Sequence, residues 1–187
     1  MSVKRGKRPS PPGIARSEDV AAMIRVDHAG EYGAVRIYEG QLAVLDNRPG
    51  SAKAAKAIRK MARQEQDHLK AFDKLINERR VRPTALAPVW HVAGFALGAA
   101  TALLGEKAAM ACTAAVEEVI DDHYANQIAR IENDDALKGR IESFRADEIA
   151  HRDEALARGA AEAPGYRILS SAIKAGCRLA IKLSERI

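Results

Sequence analysis

Apolar side chains recur along most of the chain at alternating steps of three and four residues. This spacing puts them on one face of an α-helix. Clusters of Pro, Gly and Asn interrupt the pattern and mark turns. The pattern predicts helices over about 17–46, 51–80, 88–104, 106–132, 135–158 and 165–185. Because no runs of β-branched residues alternate with turn residues, the sequence predicts an all-α protein.

In four of these helices, the apolar face carries acidic or imidazole side chains near its middle. These side chains belong to Glu31, Glu65 with His68, Glu117, and Glu148 with His151. A buried carboxylate without a partner is costly, and several at one level of a bundle also repel one another. Burial of these carboxylates in ionised form therefore requires positive charge inside the bundle.

The six residues form a half-site that occurs twice. A lone Glu is followed on the next helix by Glu-x-x-His, first as Glu31 and 65–68, then as Glu117 and 148–151. Two divalent cations would balance the four carboxylates, and a Glu-x-x-His pair shares one helical face. This is the ligand set of ferritin-like carboxylate bundles. Oxygen-rich ligation without thiolate favours iron or manganese over structural zinc.

Some residues close to this pattern allow more than one interpretation. Glu118 adjoins Glu117, but the helical register favours Glu117 as the ligand. His28, one turn before Glu31, is either an outer residue of the site or a core histidine. His91 lies outside every apolar face and is not expected to be a ligand.

Two further pairs of residues are candidates for supporting roles. His123 and Tyr124 lie two turns after Glu117, and Tyr124 is either a redox or hydrogen-bonding neighbour of the site or an ordinary core tyrosine. Asp67 and Asp147 either orient the ligand imidazoles or are solvated helix charges.

Composition and charge exclude some functions. The formal net charge is +5, and no basic patch contains interleaved aromatic residues, so nucleic-acid binding is not expected.

Residues 1–16 lack the apolar segment of a secretory signal and are predicted to be a disordered basic arm. Residues 17–187 are predicted to form one domain.

The stretch 83–105 contains no Asp, Glu, Lys or Arg. Three interpretations are open: a membrane span, a buried crossover helix, or a helix on the bilayer surface with Trp90 as an interfacial anchor. The last helix is predicted to be amphipathic, with its apolar residues on one side and Lys and Arg elsewhere. An apolar substrate dissolved in the bilayer would explain both segments.

Several segments closely resemble the demethoxyubiquinone hydroxylases of ubiquinone biosynthesis. They are VDHAGEYGA at 26–34, EQDHLK at 65–70, the stretch 80–105, AMACTAAVEE at 109–118, HYANQI at 123–128 and AGCRLAIKLSERI at 175–187. The resemblance extends from about residue 17 to residue 187. It is more specific than the ligand pattern, which many ferritin-like proteins share.

The resemblance implies a ferritin-like four-helix bundle with two additional apolar or amphipathic helices. It also implies two iron ions held by the six residues above, with Glu65 and Glu148 bridging and Glu31 and Glu117 terminal. His123 and Tyr124 would lie near the site as tentative catalytic residues. Asp122 stands where some relatives have a His.

The implied reaction is hydroxylation of 3-demethoxyubiquinol with O₂ as co-substrate and NADH or the quinol as reductant. The implied place is the cytoplasmic face of the inner or cell membrane, with peripheral attachment. A lipid-carrier partner, a ubiquinone-biosynthesis complex and a homo-oligomer are further expectations. The alternatives are an iron-storing or iron-oxidising ferritin relative and a metal-free accessory protein that binds lipid or quinone.

Overall fold

The computed structural model describes residues 17–187, and the predicted basic arm over 1–16 lies outside them. The described residues form helices joined by short turns, with a 3₁₀ turn at Ala160–Glu162 and no strand. The helices are α1 (Ser17–Leu45), α2 (Ala52–Arg79), α3 (Ala87–Leu103), α4 (Glu106–Ile128), α5 (Asp135–Ala157) and α6 (Tyr166–Ser184). The all-α prediction is confirmed.

Four of the helices form the bundle. The short loops after α1 and after α4 make α1–α2 and α4–α5 two helical hairpins, and α2 also contacts α5. The crossover helix α3 packs along α1, and α6 packs against α4. This is the expected ferritin-like bundle with two additional helices.

The helix ends follow local chemistry. The side chain of Asp134 caps α5 by accepting a hydrogen bond from the backbone N–H of Leu137. Helix α4 ends at Ile128, four residues earlier than predicted. Ile131 causes this difference, because it turns inward and is buried in the apolar cluster that contains Leu75 and Val81.

Two apolar layers fill the bundle, one toward each end. One layer includes Leu45, Ile58, Met61 and Ala109, and the other includes Ile24, Phe72, Leu137 and Ile141. On every bundle helix, the predicted ligands lie in sequence between the residues of these two layers. The polar residues are therefore enclosed between two layers that exclude water.

Glycines let α3 approach α1 closely. A Cβ atom at Gly98 would lie 1.9 Å from the carbonyl oxygen of Ile37, and one at Gly40 would lie 2.2 Å from that of Phe95. The opposite side of α3 leaves Val92 66% exposed. Helix α3 is therefore a crossover helix with one packed face and one open face. None of the helices described here has the length and hydropathy to cross a membrane.

Candidate metal centre

The bundle brings the six predicted ligands together. Each has a relative exposure of 3% or less. Their ligand atoms form two overlapping groups, and within each group the atoms lie within 4.8 Å of one another. The first group is Glu31, Glu65, His68 and Glu148, and the second is Glu65, Glu117, Glu148 and His151. Glu65 and Glu148 belong to both groups, so each carboxylate could be shared by two cations.

The donor atoms of these residues match a pair of cations. Both carboxylate oxygens of Glu65 and of Glu148 are buried without a hydrogen-bond partner. One oxygen of Glu31 and one of Glu117 are in the same state, as is Nδ1 of each of the two histidines. Buried polar atoms normally have partners. Two free oxygens on each shared carboxylate and one on each outer carboxylate are what two bridged divalent cations require.

Each imidazole is oriented from outside the cluster. Nε2 of His68 donates to Oδ2 of Asp147 (3.1 Å), and Nε2 of His151 lies 3.3 Å from Oε1 of Gln64. A carboxylate only accepts hydrogen bonds, so Nε2 of His68 carries the proton. Nδ1 of each ring is then free to bind a metal ion, as outer partners of ligand histidines typically ensure.

Two tyrosines hold the outer carboxylates. The hydroxyl of Tyr124 donates to Oε1 of Glu31, and that of Tyr38 donates to Oε1 of Glu117 at 2.5 Å. Each tyrosine lies seven residues after the lone Glu of its own helix and contacts the Glu of the other helix. The bonds occupy one oxygen of each carboxylate and leave the other free. Each outer Glu is thus arranged to bind a cation through one oxygen.

The charge at the centre is unfavourable without cations. Burial and the neighbouring Glu148 carboxylate raise the pKa of both Glu65 and Glu117 well above its ordinary value, and burial also raises the pKa of Glu148. Burial opposes the charged form of His68, but the Glu148 and Glu31 carboxylates raise its pKa to about 10. Without metal, the cluster therefore retains protons, and cations have to displace them.

The structure also separates the competing candidates on α4 and α2. Glu118 points away from the cluster and pairs with Lys174 of α6 at 2.6 Å, so it takes no part in the centre. Asp67 is exposed and pairs with Lys70, as a solvated helix charge. Asp147 instead contacts a ligand imidazole, which is the supporting role that the sequence left open for it.

His28 and His91 lie outside the cluster. His28 bridges α1 and α2 by contacting Asp73 at 2.9 Å. Nδ1 of His91 lies 2.6 Å from the hydroxyl oxygen of Tyr32. Neither histidine joins the six central residues.

His123 lies beside the centre and does not reach its ligand atoms. Its Nε2 is 3.0 Å from Oδ1 of the buried Asp27, and Nε2 of Gln127 donates to the same oxygen at 2.7 Å. The ring of His123 tilts against that of Tyr124, with 6.1 Å between the centroids. Of the two tentative catalytic residues, Tyr124 contacts a predicted ligand directly and His123 does not.

Sequence reasoning missed Tyr38, Gln64 and Asp27. Tyr38 looks like a member of the apolar face of α1, and Gln64 looks like an ordinary polar residue of α2. The one available signal was the repeated spacing, since Glu31 with Tyr38 matches Glu117 with Tyr124. Asp27 falls on a buried helix position, but nothing nearby in sequence shows its partner on α4.

An apolar cavity of about 540 Å³ lies beside the centre, between α1, α3, α4 and α6. The described residues that line it carry no charge, and Ser184 contributes the one hydroxyl. Gly30 and Val116 line the cavity and directly precede Glu31 and Glu117, so the cavity and the centre share the wall formed by α1 and α4. An apolar molecule of moderate size fits this space.

Comparison with known proteins gives consistent matches over nearly the whole chain. A profile of the family described as ubiquinone biosynthesis protein COQ7 matches residues 18–184. The Rhodospirillum rubrum protein named 3-demethoxyubiquinol 3-hydroxylase is 55% identical over 180 residues, which cover 96% of this chain and 81% of the relative.

Two eukaryotic relatives are also similar. A Homo sapiens protein named NADPH-dependent 3-demethoxyubiquinone 3-hydroxylase, mitochondrial, is 54% identical over 173 residues, covering 90% of this chain and 78% of its own. A Saccharomyces cerevisiae protein named 5-demethoxyubiquinone hydroxylase, mitochondrial, is 41% identical over 181 residues, covering 88% and 77%.

Proposed function

This chain belongs to the family of ubiquinone biosynthesis protein COQ7, a family of hydroxylating enzymes, and we propose that it hydroxylates 3-demethoxyubiquinol with O₂ at a pair of iron ions. One observation carries the proposal. A buried cluster with the donor atoms for two cations lies across one helical wall from an apolar cavity. A ferritin-like iron store has no evident use for such a cavity.

The six central residues would hold the iron pair, with Glu65 and Glu148 shared between both ions. Carboxylate and imidazole donors without thiolate suit iron that reacts with O₂. When bound, the iron pair would supply the electrons and the binding positions that activate O₂. The balanced reaction inserts one oxygen atom into a ring C–H bond, and the second leaves as water with two electrons and two protons from a reductant.

The protein's own contribution is to hold the donors in place and to exclude water. Tyr38 and Tyr124 each donate to one oxygen of an outer carboxylate, so each of these carboxylates would hold an iron ion through its other oxygen. Asp147 and Gln64 fix the imidazoles. The two apolar layers close both ends of the bundle and keep water away from the six central residues.

The apolar cavity is the proposed place for the quinol ring and the first part of its isoprenoid tail. Gly30 and Gly33 widen it on α1, since a Cβ atom at either position would meet nothing within 4 Å. On its rim are Ala93 of α3 and Gly176 of α6, both exposed. A tail of apolar isoprene units could leave the cavity between these helices.

We propose that the protein attaches peripherally to the cytoplasmic face of a membrane. Exposed apolar residues surround the cavity rim on α3 and α6, among them Val89, Val92, Ile168 and Leu179. Cationic residues of α6 adjoin them, and such an arrangement suits anionic lipid. The human and yeast relatives are named as mitochondrial. A lipid-carrier partner, a biosynthetic complex and self-association remain predictions.

The reductant is expected to be a nicotinamide nucleotide or the quinol itself. The name of the human relative specifies NADPH, which favours a nucleotide for this chain as well. The chain has no Gly-rich dinucleotide fingerprint. A nucleotide would therefore have to bind without a Rossmann fold.

A labelling experiment tests the proposed reaction. Iron-loaded protein is given a short-tailed demethoxyubiquinol, a reductant and ¹⁸O₂, and the product is analysed by mass spectrometry. One ¹⁸O atom per product molecule is expected. Glu148→Gln should lose activity and iron by about 100-fold or more, because it removes a shared carboxylate. Glu142→Gln changes an exposed residue of the same helix and is the matched control.

Two results would contradict the proposal. One is the absence of labelled product from iron-loaded wild-type protein, and the other is normal turnover by Glu148→Gln. Iron content measured on the same samples distinguishes a failure to bind metal from a failure of the chemistry.

A further inference from the structure

The outer partners of the two imidazoles are related by an approximate two-fold symmetry. Gln64 directly precedes Glu65 on α2 and contacts His151 on α5, while Asp147 directly precedes Glu148 on α5 and contacts His68 on α2. A residue of α2 therefore contacts the ligand histidine of α5, and a residue of α5 contacts the ligand histidine of α2. The symmetry fails in one respect: one partner is a carboxylate and the other is an amide.

The two partners also contact each other. Nε2 of Gln64 lies 3.1 Å from Oδ1 of Asp147. Because the Asp147 carboxylate only accepts, the amide nitrogen of Gln64 must face it, and Oε1 of Gln64 must face His151. Asp147 therefore sets the direction of every hydrogen bond from His68 through Gln64 to His151. Removing Gln64 would release His151 and withdraw a donor from Asp147.

A carboxylate partner makes an imidazole a more basic ligand than a neutral amide partner does. His68 has the carboxylate, and its ring also stacks on Phe144 with 4.0 Å between the centroids. His151 has only the longer contact to an amide oxygen in the equivalent place. The two halves of the centre thus differ in their outer partners, although their ligand types are the same.

We propose that Gln64 is a positioning residue that aligns both imidazoles, and that its amide, opposite the Asp147 carboxylate, makes the two metal positions inequivalent. The position that contains His68 binds its ion more tightly than the position that contains His151. The inference rests on the proposed function only in requiring two metal positions.

Metal titration tests directly whether the two metal positions differ in affinity. Metal-free full-length protein is titrated with Co²⁺, and binding is followed by calorimetry and by the visible absorption of the ion. Two steps are expected, separated by about tenfold or more in affinity. Asp147→Asn, which makes both partners amides, should weaken the tighter step by about 10- to 100-fold and bring the two steps together.

Variants of Gln64 test its positioning role. Gln64→Leu should weaken the second binding step, at the position that contains His151, by about tenfold, because His151 loses its acceptor. Gln64→Glu keeps an oxygen at the same reach and gives His151 a carboxylate partner, so that step should be at least as tight as in the wild type. Asp67→Asn and Gln66→Leu change exposed residues on the same helix and should leave both steps as in the wild type. Circular dichroism checks that each variant is folded.

A spectroscopic measurement gives an independent result. With ⁵⁷Fe²⁺ in both positions, the wild-type Mössbauer spectrum should show two quadrupole doublets, and Asp147→Asn should make them converge. Equal affinities and a single doublet in the wild type, or an equal loss of both steps in Asp147→Asn, would overturn the inference and leave the proposed function intact. A wild-type protein that binds no Co²⁺ or Fe²⁺ would overturn both.

Discussion

The carboxyl groups at the centre create the main electrostatic cost of the fold. Burial raises the pKa of Glu65, Glu117 and Glu148, and the mutual repulsion of the carboxylates adds to it. In the unfolded chain these groups would titrate near the ordinary value of 4.5. Metal-free protein should therefore fold with protons on this cluster, and metal-loaded protein should fold with ionised carboxylates.

The two forms should respond oppositely to pH. For a carboxyl whose folded pKa is raised, stability is complete below the unfolded pKa and is lost as pH rises toward the folded pKa. His68, with its pKa raised to about 10, acts in the same direction, and only the lowered pKa of His151 opposes them among the six central residues. Metal-free protein should lose thermal stability between pH 5 and pH 8, by about 2–4 °C for each kcal/mol lost.

Differential scanning calorimetry at several pH values, with and without Fe²⁺ under anaerobic conditions, checks this prediction. Metal should raise the melting temperature most at the high end of the range, since protons no longer compete with it. A metal-free protein whose stability rises steadily from pH 5 to pH 8 would contradict the electrostatic account. Glu148→Gln, with one ionisable carboxyl fewer, should show a shallower decline.

Individual residues of the centre differed in how far the sequence could predict them. Glu31 and Glu148 could be predicted as members of the cluster because a charged residue in the middle of an apolar helical face needs a physical explanation. Tyr38 could not, because a tyrosine is an ordinary member of such a face, and its bond to Glu117 depends on how two helices are placed. Gln64 could not, because its partners lie on another helix.

Among the helices, α3 shows what a pattern of apolar residues cannot decide. Its sequence is apolar on all sides, so no periodicity identifies the face that packs. The structure shows that the glycines determine which face packs. Gly94 and Gly98 face α1 and are buried, while Val89 and Val92 are exposed. The boundaries of α3 were predictable from Pro and Gly, but its orientation depends on the surface of α1.

The close approach of α3 and α1 predicts a strong effect of one methyl group. Gly98→Ala would place a Cβ atom 1.9 Å from the carbonyl oxygen of Ile37, so the helices must move apart. The free energy of unfolding should fall by about 1–3 kcal/mol. Gly139→Ala on α5 is the control, because its Cβ atom meets nothing within 4 Å. It should be neutral or stabilising by up to about 1 kcal/mol.

Urea unfolding followed by circular dichroism measures both glycine variants. An equal midpoint for Gly98→Ala and wild type would contradict the packing that the structure shows for α1 and α3. A similar loss of stability in Gly139→Ala would mean that the effect of Gly98→Ala cannot be assigned to the contact with α1, because neither a contact nor helix propensity opposes Ala at position 139.

The whole molecule combines the centre, the cavity and an exposed apolar edge on one side. Gly33→Leu tests whether the cavity holds the substrate, because its side chain would extend from a cavity-lining position without a clash at Cβ. The KM for demethoxyubiquinol should rise by about tenfold or more, the factor that about 1.4 kcal/mol of lost binding gives. Iron content should remain at the wild-type level.

Gly139→Leu places the same side chain on an exposed position of α5 and should leave KM unchanged. An unchanged KM in Gly33→Leu, with stability and iron content preserved, would mean that the substrate does not use this cavity. Loss of iron in Gly33→Leu would instead mean that the wall shared by α1 and α4 had moved.

The sequence predicted that α6 presents its apolar residues on one side, and the structure divides them. Ile173 is buried against the bundle, whereas Ile168 is 80% and Leu179 is 57% exposed. Exposed side chains of this size on a helix that also carries Lys and Arg favour contact with a lipid surface. This edge adjoins the cavity rim at Gly176, where an apolar substrate would enter from the bilayer.

Substitutions on this edge should separate membrane binding from catalysis. Ile168→Asp or Leu179→Asp should lower binding of the full chain to anionic phospholipid vesicles by about tenfold, since burial of such a side chain contributes about 1.5–3 kcal/mol. Turnover of a short-tailed substrate in detergent should be unchanged, because neither residue lies near the centre. Leu156→Asp, on α5 and 40% exposed, is the matched control and should bind vesicles like the wild type. Equal vesicle binding by all three variants and the wild type would mean that α6 does not contact the lipid.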